Sequence, residues 1–268
     1  MLKFDYHTHT LYSPDSVALI DDMAERAIEL GLTEYAITDH MDFSYPAAEF
    51  LNTRELNSYV NAVLAAREKF AGRIKILLGA ELGLRPDCAA IGAQIAGSFD
   101  FDIIIGSMHE DLEGVDFGFA HFFEGRSKKQ AYGIYFESIL KTVRTCDCFD
   151  ILGHMGYVER YGRYKDKTLE YADFKEIIDE ILKTLIDKEI GIEINTSGYA
   201  YGIGRAHPQM EVLRRYRALG GEIVTVGSDA HRPGAIAASF DLAKETLKEA
   251  GIKYITRFDK RKPSFVRI

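Results

Sequence analysis

This 268-residue chain has few cysteines, no excess of positive charge and no long apolar run, and each shortage excludes a class of protein. No stretch approaches the roughly 18 apolar residues that cross a bilayer as a helix. No basic segment followed by an apolar core opens the chain. The reading is therefore a cytoplasmic protein with no membrane partner. The three cysteines, Cys88, Cys146 and Cys148, are too few and odd in number for a disulfide framework. Cys146-Asp147-Cys148 has CxC spacing, but no second cysteine pair completes a thiolate metal site, so buried thiols are expected. Lys and Arg number 33 against 41 Asp and Glu, a net charge of −8. A duplex-binding surface is normally basic, so no nucleic-acid partner is expected. Lysine-rich runs occur only at Ser127-Lys128-Lys129 and Lys260-Arg261-Lys262, read as a helix start and a tail. No Pro/Gly/Ser-rich linker or low-complexity run divides the chain, so one domain over residues 1–268 is expected. The sequence does not give the oligomeric state.

What the chain does contain is a repeated alternation. Short β-branched or apolar segments at Lys3–His9, Glu34–Asp39, Ile74–Glu81, Asp102–Met108, Phe149–His154, Gly191–Thr196 and Glu222–Ser228 read as strands. Between them lie segments of helical period. Ser16–Leu30 places Val17, Ile20, Met23, Ala24, Ala27 and Ile28 on one stripe and stops at Gly31. Glu55–Phe70, Lys128–Thr145, Tyr171–Lys188, Pro208–Leu219 and Gly234–Ala250 behave alike, and Asp87–Ala96 is a shorter candidate. Seven β-then-α units imply a parallel α/β sheet, either closed as a barrel or open and doubly wound.

The strand ends favour the barrel. They read His7-Thr8-His9, Thr38-Asp39-His40, Gly79-Ala80-Glu81, Ser107-Met108-His109, Gly153-His154, Glu193-Ile194-Asn195 and Gly227-Ser228-Asp229-Ala230-His231. In a barrel these ends converge on one mouth; in an open sheet only strands beside the switch point would meet. Side chains alternate along a strand, so His7 and His9 point the same way. Imidazoles on one face, joined by carboxylates from neighbouring strands, suit Zn²⁺, Mn²⁺ or Fe²⁺. Six of the eight histidines sit at strand ends; His121 and His207 fall in loops and carry no role. Asn195, in a buried strand that would usually avoid it, and Asp39, beside His40, are expected to orient neighbours from behind.

The ordered series HxH, a downstream Asp, TDH, GAE, SxH, GH and SDAH resembles the polymerase-and-histidinol-phosphatase (PHP) family of metal-dependent phosphoesterases, over residues 5–231. Within that family the segments 153–162 and Glu193-Ile194-Asn195-Thr196 are similar to those of the monofunctional histidinol-phosphate phosphatases. The resemblance implies a distorted (β/α)7 barrel with its active site at the C-terminal strand ends, and three divalent metal ions (Zn, Mn or Fe). It implies a first metal on His7, His9, Glu81 and Asp229. A second would share Glu81 and add His109 and His154, and a third would sit on Asp15, His40 and His231. Some relatives carry His where this chain has Asp15, and the harder carboxylate favours Mn²⁺ or iron at the third position.

The expected reaction is hydrolysis of L-histidinol phosphate, a small phosphate ester in histidine biosynthesis. A water bridging the first two metals would lose its proton near neutral pH and attack phosphorus in line. Arg160 is the first choice for gripping phosphate, with Arg163 nearby. Some relatives place an Arg directly after EINT, where this chain has Ser197, so Arg205 is expected to reach back in its place. Asp229 and His231 are the candidates for the leaving-group proton. Asp42, Glu110 and Glu159 are candidates for the substrate's cationic groups, and Tyr157 and Phe43 for its ring. The alternative substrate class is nucleotides or short oligonucleotides. A third reading, a metal-binding regulatory module, fits poorly because the whole ligand set is present.

Overall fold

The computed structural model describes residues 2–43 and 53–268, with side chains in the second stretch from Glu55 onward. Strands β1 (Phe4–Asp5), β2 (Glu34–Ile37), β3 (His40–Asp42), β4 (Lys75–Gly83), β5 (Ile103–Ser107), β6 (Ile151–Leu152), β7 (Gly191–Asn195) and β8 (Val224–Gly227) pair in parallel in the order β1-β2-β4-β5-β6-β7-β8, with β3 also on β4. β3 follows β2 after two residues and extends the same barrel position, pairing His40 with Glu81. The seam closes between β8 and β1: Tyr6 N donates to Val226 O at 3.0 Å, Asp229 N to His7 O at 2.8 Å and His9 N to Ala230 O at 2.8 Å. Seven strand positions thus form a closed parallel barrel, as the residues at the strand ends and the family resemblance both predict.

The strands form here because they can be buried on both faces. In β4 every residue from Ile76 to Gly83 is buried, the near-continuous apolar run typical of parallel sheets. The helices are α1 (Ile20–Glu29), α2 (Thr53–Lys69), α3 (Ala89–Ala96), α4 (Ala120–Phe123), α5 (Lys128–Thr145), α6 (Val158–Tyr161), α7 (Lys175–Asp187), α8 (Ser197–Ala200), α9 (Met210–Ala218) and α10 (Phe240–Glu249). Helix α1 buries Ile20, Met23, Ala24 and Ala27 against the barrel. Helix α5 starts on a capping box, with Ser127 and Gln130 satisfying each other's backbone N–H groups. The helix expected at Gly234–Ala250 begins only at Phe240, after a short 3₁₀ turn at Pro233–Ala235.

One element departs from expectation. Lys260-Arg261-Lys262 is no tail: Lys260 and Arg261 form the turn of an antiparallel hairpin of β9 (Tyr254–Asp259) and β10 (Lys262–Arg267), and Lys262 opens β10. The hairpin spans the N-terminal end of the barrel, gripped by acids at the starts of three strands. Glu34 binds the Arg257 guanidinium, Asp102 accepts from Lys260 N, and Asp150 binds Arg261 Nε at 2.9 Å. The hairpin closes the end opposite the strand ends that carry the histidines. The three cysteines are buried and free, as expected.

Candidate metal centre and active site

At the open end, the chain beyond β1 leaves regular pairing but keeps its alternation. Thr8 bridges to Ala230 and turns its hydroxyl outward to Ala36 O at 2.7 Å. Both neighbouring imidazoles therefore face inward, with ring centroids 5.0 Å apart. Glu81 sits at the centre of the cluster. Its Oε2 lies 3.3 Å from His7 Nε2, 3.5 Å from His9 Nε2 and 2.8 Å from His40 Nδ1. Its Oε1 lies 3.4 Å from His109 Nε2 and 2.8 Å from His154 Nε2. Asp229 Oδ1 stands 3.4 Å from His9 Nε2. Asp15 Oδ2 reaches His231 Nε2 at 3.1 Å and His40 Nε2 at 3.6 Å. All nine residues predicted as ligands therefore meet at one place, contributed by six strand ends.

The donor set fits divalent metal ions on its own geometry. His7 Nε2 and His9 Nε2 are buried and have no well-aligned hydrogen bond among the described residues. Leaving such atoms unpaired is costly unless a cation accepts their lone pairs. Among the described residues, four overlapping groups have ligand atoms close enough to share an ion: His7/His9/Asp229, His7/Glu81/His154, His9/His40/His231 and His40/Asp42/His109. The first three use predicted ligands alone. The fourth brings in Asp42, which sequence reasoning assigned to substrate.

Without metal, the cluster resolves into opposite charges. Burial pushes Glu81 toward neutrality, but His7, His40 and His109 outweigh it and hold the carboxyl well below the usual range. Burial opposes charge on His7 too, and Glu193, Glu81 and Asp229 overcome it, raising the imidazole well above its ordinary value. His9 goes the other way: burial, then His40 and His231, hold it well below. Asp229 has a backbone φ of 58°, a left-handed conformation that Asp tolerates better than most residues. The hydrogen bond to His7 O holds it there.

Residues behind the cluster fix the orientation of its side chains. Asp39 accepts from Ser13 Oγ at 2.6 Å, and Ser13 Oγ in turn meets His9 Nδ1 at 3.0 Å. Asp39 thus orients His9 through Ser13, a more indirect path than its place beside His40 suggested. Asp42 accepts from His109 Nδ1 at 2.8 Å. Ser107 Oγ donates to Glu81 Oε1 at 2.6 Å.

A cavity of about 380 Å³ opens over the cluster. Arg160 enters it from α6, almost fully buried. Its Nη2 donates to Asp229 Oδ2 at 2.9 Å, to Asn195 Oδ1 at 3.3 Å and to Ser197 Oγ. Its guanidinium lies between the rings of Tyr157 and Tyr201, 5.0 and 4.9 Å from their centroids. The outer wall comprises Asp42, Glu110, Asp116, Tyr157, Tyr161 and Tyr201.

Other substrate-contact expectations are not met. Arg205 does not reach back: its Nη2 donates to Glu159 Oε1 and Leu169 O, both at 2.8 Å, on the far side of α6 from the cavity. The physical reason is Glu159 itself, a buried carboxylate that needs a nearby cation. The same pairing takes Glu159 out of the cavity. Arg163 is exposed and does not line it. Phe43 packs against the core. Asp116, Tyr161 and Tyr201 were missed: the loops of Asp116 and Tyr201 carried no periodic or motif signal, and Tyr161, the last residue of α6, was read only as part of the segment 153–162. Ser197 was read only as a missing arginine, whereas it holds Arg160.

The comparisons agree with this geometry. The family model described as "PHP domain" matches residues 5–197. A histidinol-phosphatase of Lactococcus lactis subsp. lactis is 34% identical over 98% of this chain and 99% of that protein. A "Probable histidinol-phosphatase" of Clostridium acetobutylicum is 32% identical over 97% of this chain and 98% of that protein. The crystal structure of the histidinol phosphate phosphatase from L. lactis, complexed with zinc, L-histidinol and phosphate, superimposes with a TM-score of 0.90, at 31% identity over 98% of this chain and 100% of that one. With its barrel, its strand-end histidines and carboxylates and these matches, the chain belongs to the PHP domain family.

Proposed function

We propose that this chain is a metal-dependent phosphomonoesterase that hydrolyses L-histidinol phosphate to L-histidinol and phosphate. The observation that carries the reading is one cavity with two unlike walls. The inner wall is the metal-type cluster with Arg160; the outer wall is acidic and aromatic. A phosphate suits the first, and an ammonium with an imidazole ring suits the second. Relatives at 32–34% identity carry the corresponding name, and the L. lactis structure holds both products.

The residues divide the work as follows. Three ions of zinc, manganese or iron would be held by His7, His9, Glu81 and Asp229, by Glu81, His109 and His154, and by Asp15, His40 and His231. They would supply Lewis acidity toward the phosphoryl oxygens and a low pKa for coordinated water. Arg160 donates to the phosphate oxygens, its plane steadied by Tyr157 and Tyr201. Asp229, fixed through Oδ2 by Arg160, would present Oδ1 to the first ion beside His7 and His9, and the proton given up by the attacking water ends on the leaving alkoxide. His231 closes the outer side of the cluster. Asp42, Glu110 and Asp116 meet the substrate's ammonium, while Tyr157 and Tyr161 face its ring. The whole chain works as one barrel unit.

The test is steady-state turnover of Mn²⁺-loaded protein on L-histidinol phosphate beside a dinucleotide and an aryl phosphate. A kcat/KM of ~10⁴ M⁻¹s⁻¹ or more for histidinol phosphate alone supports the reading. Equal or faster turnover of the dinucleotide replaces the substrate class.

A further inference from the structure

We propose that Glu193 is a positioning residue of the metal centre: it fixes the tautomer of His7 and, through Asn195, the setting of Arg160. The proposal rests on the metal-centre reading above. Glu193 is buried in β7 and accepts three hydrogen bonds. His7 Nδ1 lies 2.7 Å from Oε1, while His154 N donates to Oε2 at 2.8 Å and Asn195 Nδ2 donates to Oε2 at 3.0 Å. A carboxylate has no proton to give, so His7 must carry its own on Nδ1. That leaves the Nε2 lone pair free and aimed into the cluster.

The surroundings are shaped for this carboxylate. A Cβ on Gly227 would stand 2.1 Å from Glu193 Oε1 and 2.4 Å from His7 Cβ. Only glycine on β8 leaves room for the contact. The comb then continues along one face of the chain. Asn195, whose Nδ2 is committed to Glu193, turns Oδ1 to Ser197 N at 3.0 Å and to Arg160 Nη2 at 3.3 Å. Residues 193, 195 and 197 therefore join His7, just beyond β1, to the guanidinium on α6.

The pattern of donors makes Glu193→Gln a sharp probe. With its oxygen toward His154 N and Asn195, a glutamine aims its NH₂ at His7 Nδ1. The imidazole must then move its proton to Nε2, where it blocks a metal. With its oxygen toward His7, the NH₂ meets two other donors. Neither orientation satisfies all three contacts.

The experiment titrates chelator-treated protein with Mn²⁺ against a competing chromogenic chelator, then titrates the Mn²⁺-saturated protein with inorganic phosphate. Glu193→Gln should weaken Mn²⁺ binding by about 10–100-fold. In a His7→Ala background the same change should shift Mn²⁺ affinity less than about threefold, a dependence that general loss of stability would not produce. Asn195→Ala should leave Mn²⁺ binding within about threefold and weaken phosphate binding about tenfold or more. Equal loss with and without His7 overturns the proposal, as does Mn²⁺ affinity within threefold for Glu193→Gln. If Glu193→Gln fails to fold, Asn195→Ala decides: lost Mn²⁺ affinity or unchanged phosphate affinity overturns it. Wild-type protein that binds no Mn²⁺ overturns the metal-centre reading itself, whereas failure of the variants alone leaves that reading standing.

Discussion

Arg160 and Arg205 carry the same charge 45 positions apart, and their surroundings give them different work. Arg160 faces the cavity among Asp229, Asn195 and Ser197, while Arg205 is committed to Glu159. Arg160→Ala should lower kcat/KM on histidinol phosphate by about 100-fold or more, since a charge-assisted donor to the transition state is lost. Arg160→Lys should recover part of that, because the charge survives without the planar fork. Arg205→Ala should leave kcat/KM within about threefold yet lower stability by about 1–2 kcal/mol, because a buried carboxylate loses its partner. Parallel steady-state kinetics and urea unfolding of the three variants check this; a hundredfold kinetic loss in Arg205→Ala would return it to the phosphate site. The metal-type residues were legible because a strand end fixes where a side chain goes. The arginines were legible only in part: Arg160 lines the cavity as expected, but Arg205 and Arg163 do not, since position in a loop does not say which carboxylate captures a guanidinium. Glu193 was visible as a strand-end acid, but its partner His7 lies 186 residues away, beyond any local pattern.

At the level of elements, the seven strand positions were readable from apolar segments and their spacing, though β1 and β6 shrink to two residues each of regular pairing. The C-terminal hairpin was not readable. Its two-residue turn places Lys260 and Arg261 at φ of 49° and 62°, where Gly or Asn normally signals a hairpin. Long-range contacts replace that local signal: Arg261 N donates to Asp102 O at 2.9 Å and its side chain binds Asp150. Pro263 in β10 further masks the strand and suits an edge. Arg261→Ala should therefore lower the unfolding midpoint by about 2–6 °C, a loss of about 1–2 kcal/mol in a chain of this size. Its kcat should be unchanged, because the hairpin lies at the opposite end of the barrel from the cavity. Differential scanning calorimetry and turnover on the same sample separate the two effects.

Across the whole molecule, closure of the barrel sets one group against pH. Asp5 lies wholly buried at the β1–β8 seam, accepting from Ser228 N, Ser228 Oγ and Ala237 N. Burial raises its carboxyl from 3.8 to about 6 against the pull of those hydrogen bonds. The unfolded chain releases this proton near 3.8, while the folded chain keeps it to about 6. Stability contributed by the protonated group is thus fully present below 3.8 and is lost as pH rises to about 6, a change of about 3 kcal/mol. Urea unfolding of metal-free wild type and Asp5→Ala at pH 4 and pH 7 should show the wild-type advantage shrinking by that order; an unchanged or growing advantage contradicts it. Metal acts on the whole fold as well: each ion at a hundredfold its Kd adds about 2.7 kcal/mol, so chelation should lower the thermal midpoint and Mn²⁺ should restore it.

The most direct test of the account is activity against metal content. Metal-free protein is titrated with Mn²⁺ while bound metal and turnover of L-histidinol phosphate are followed together. The account predicts negligible turnover without metal and full kcat only as about three ions per chain are filled. Full turnover by metal-free protein would contradict it.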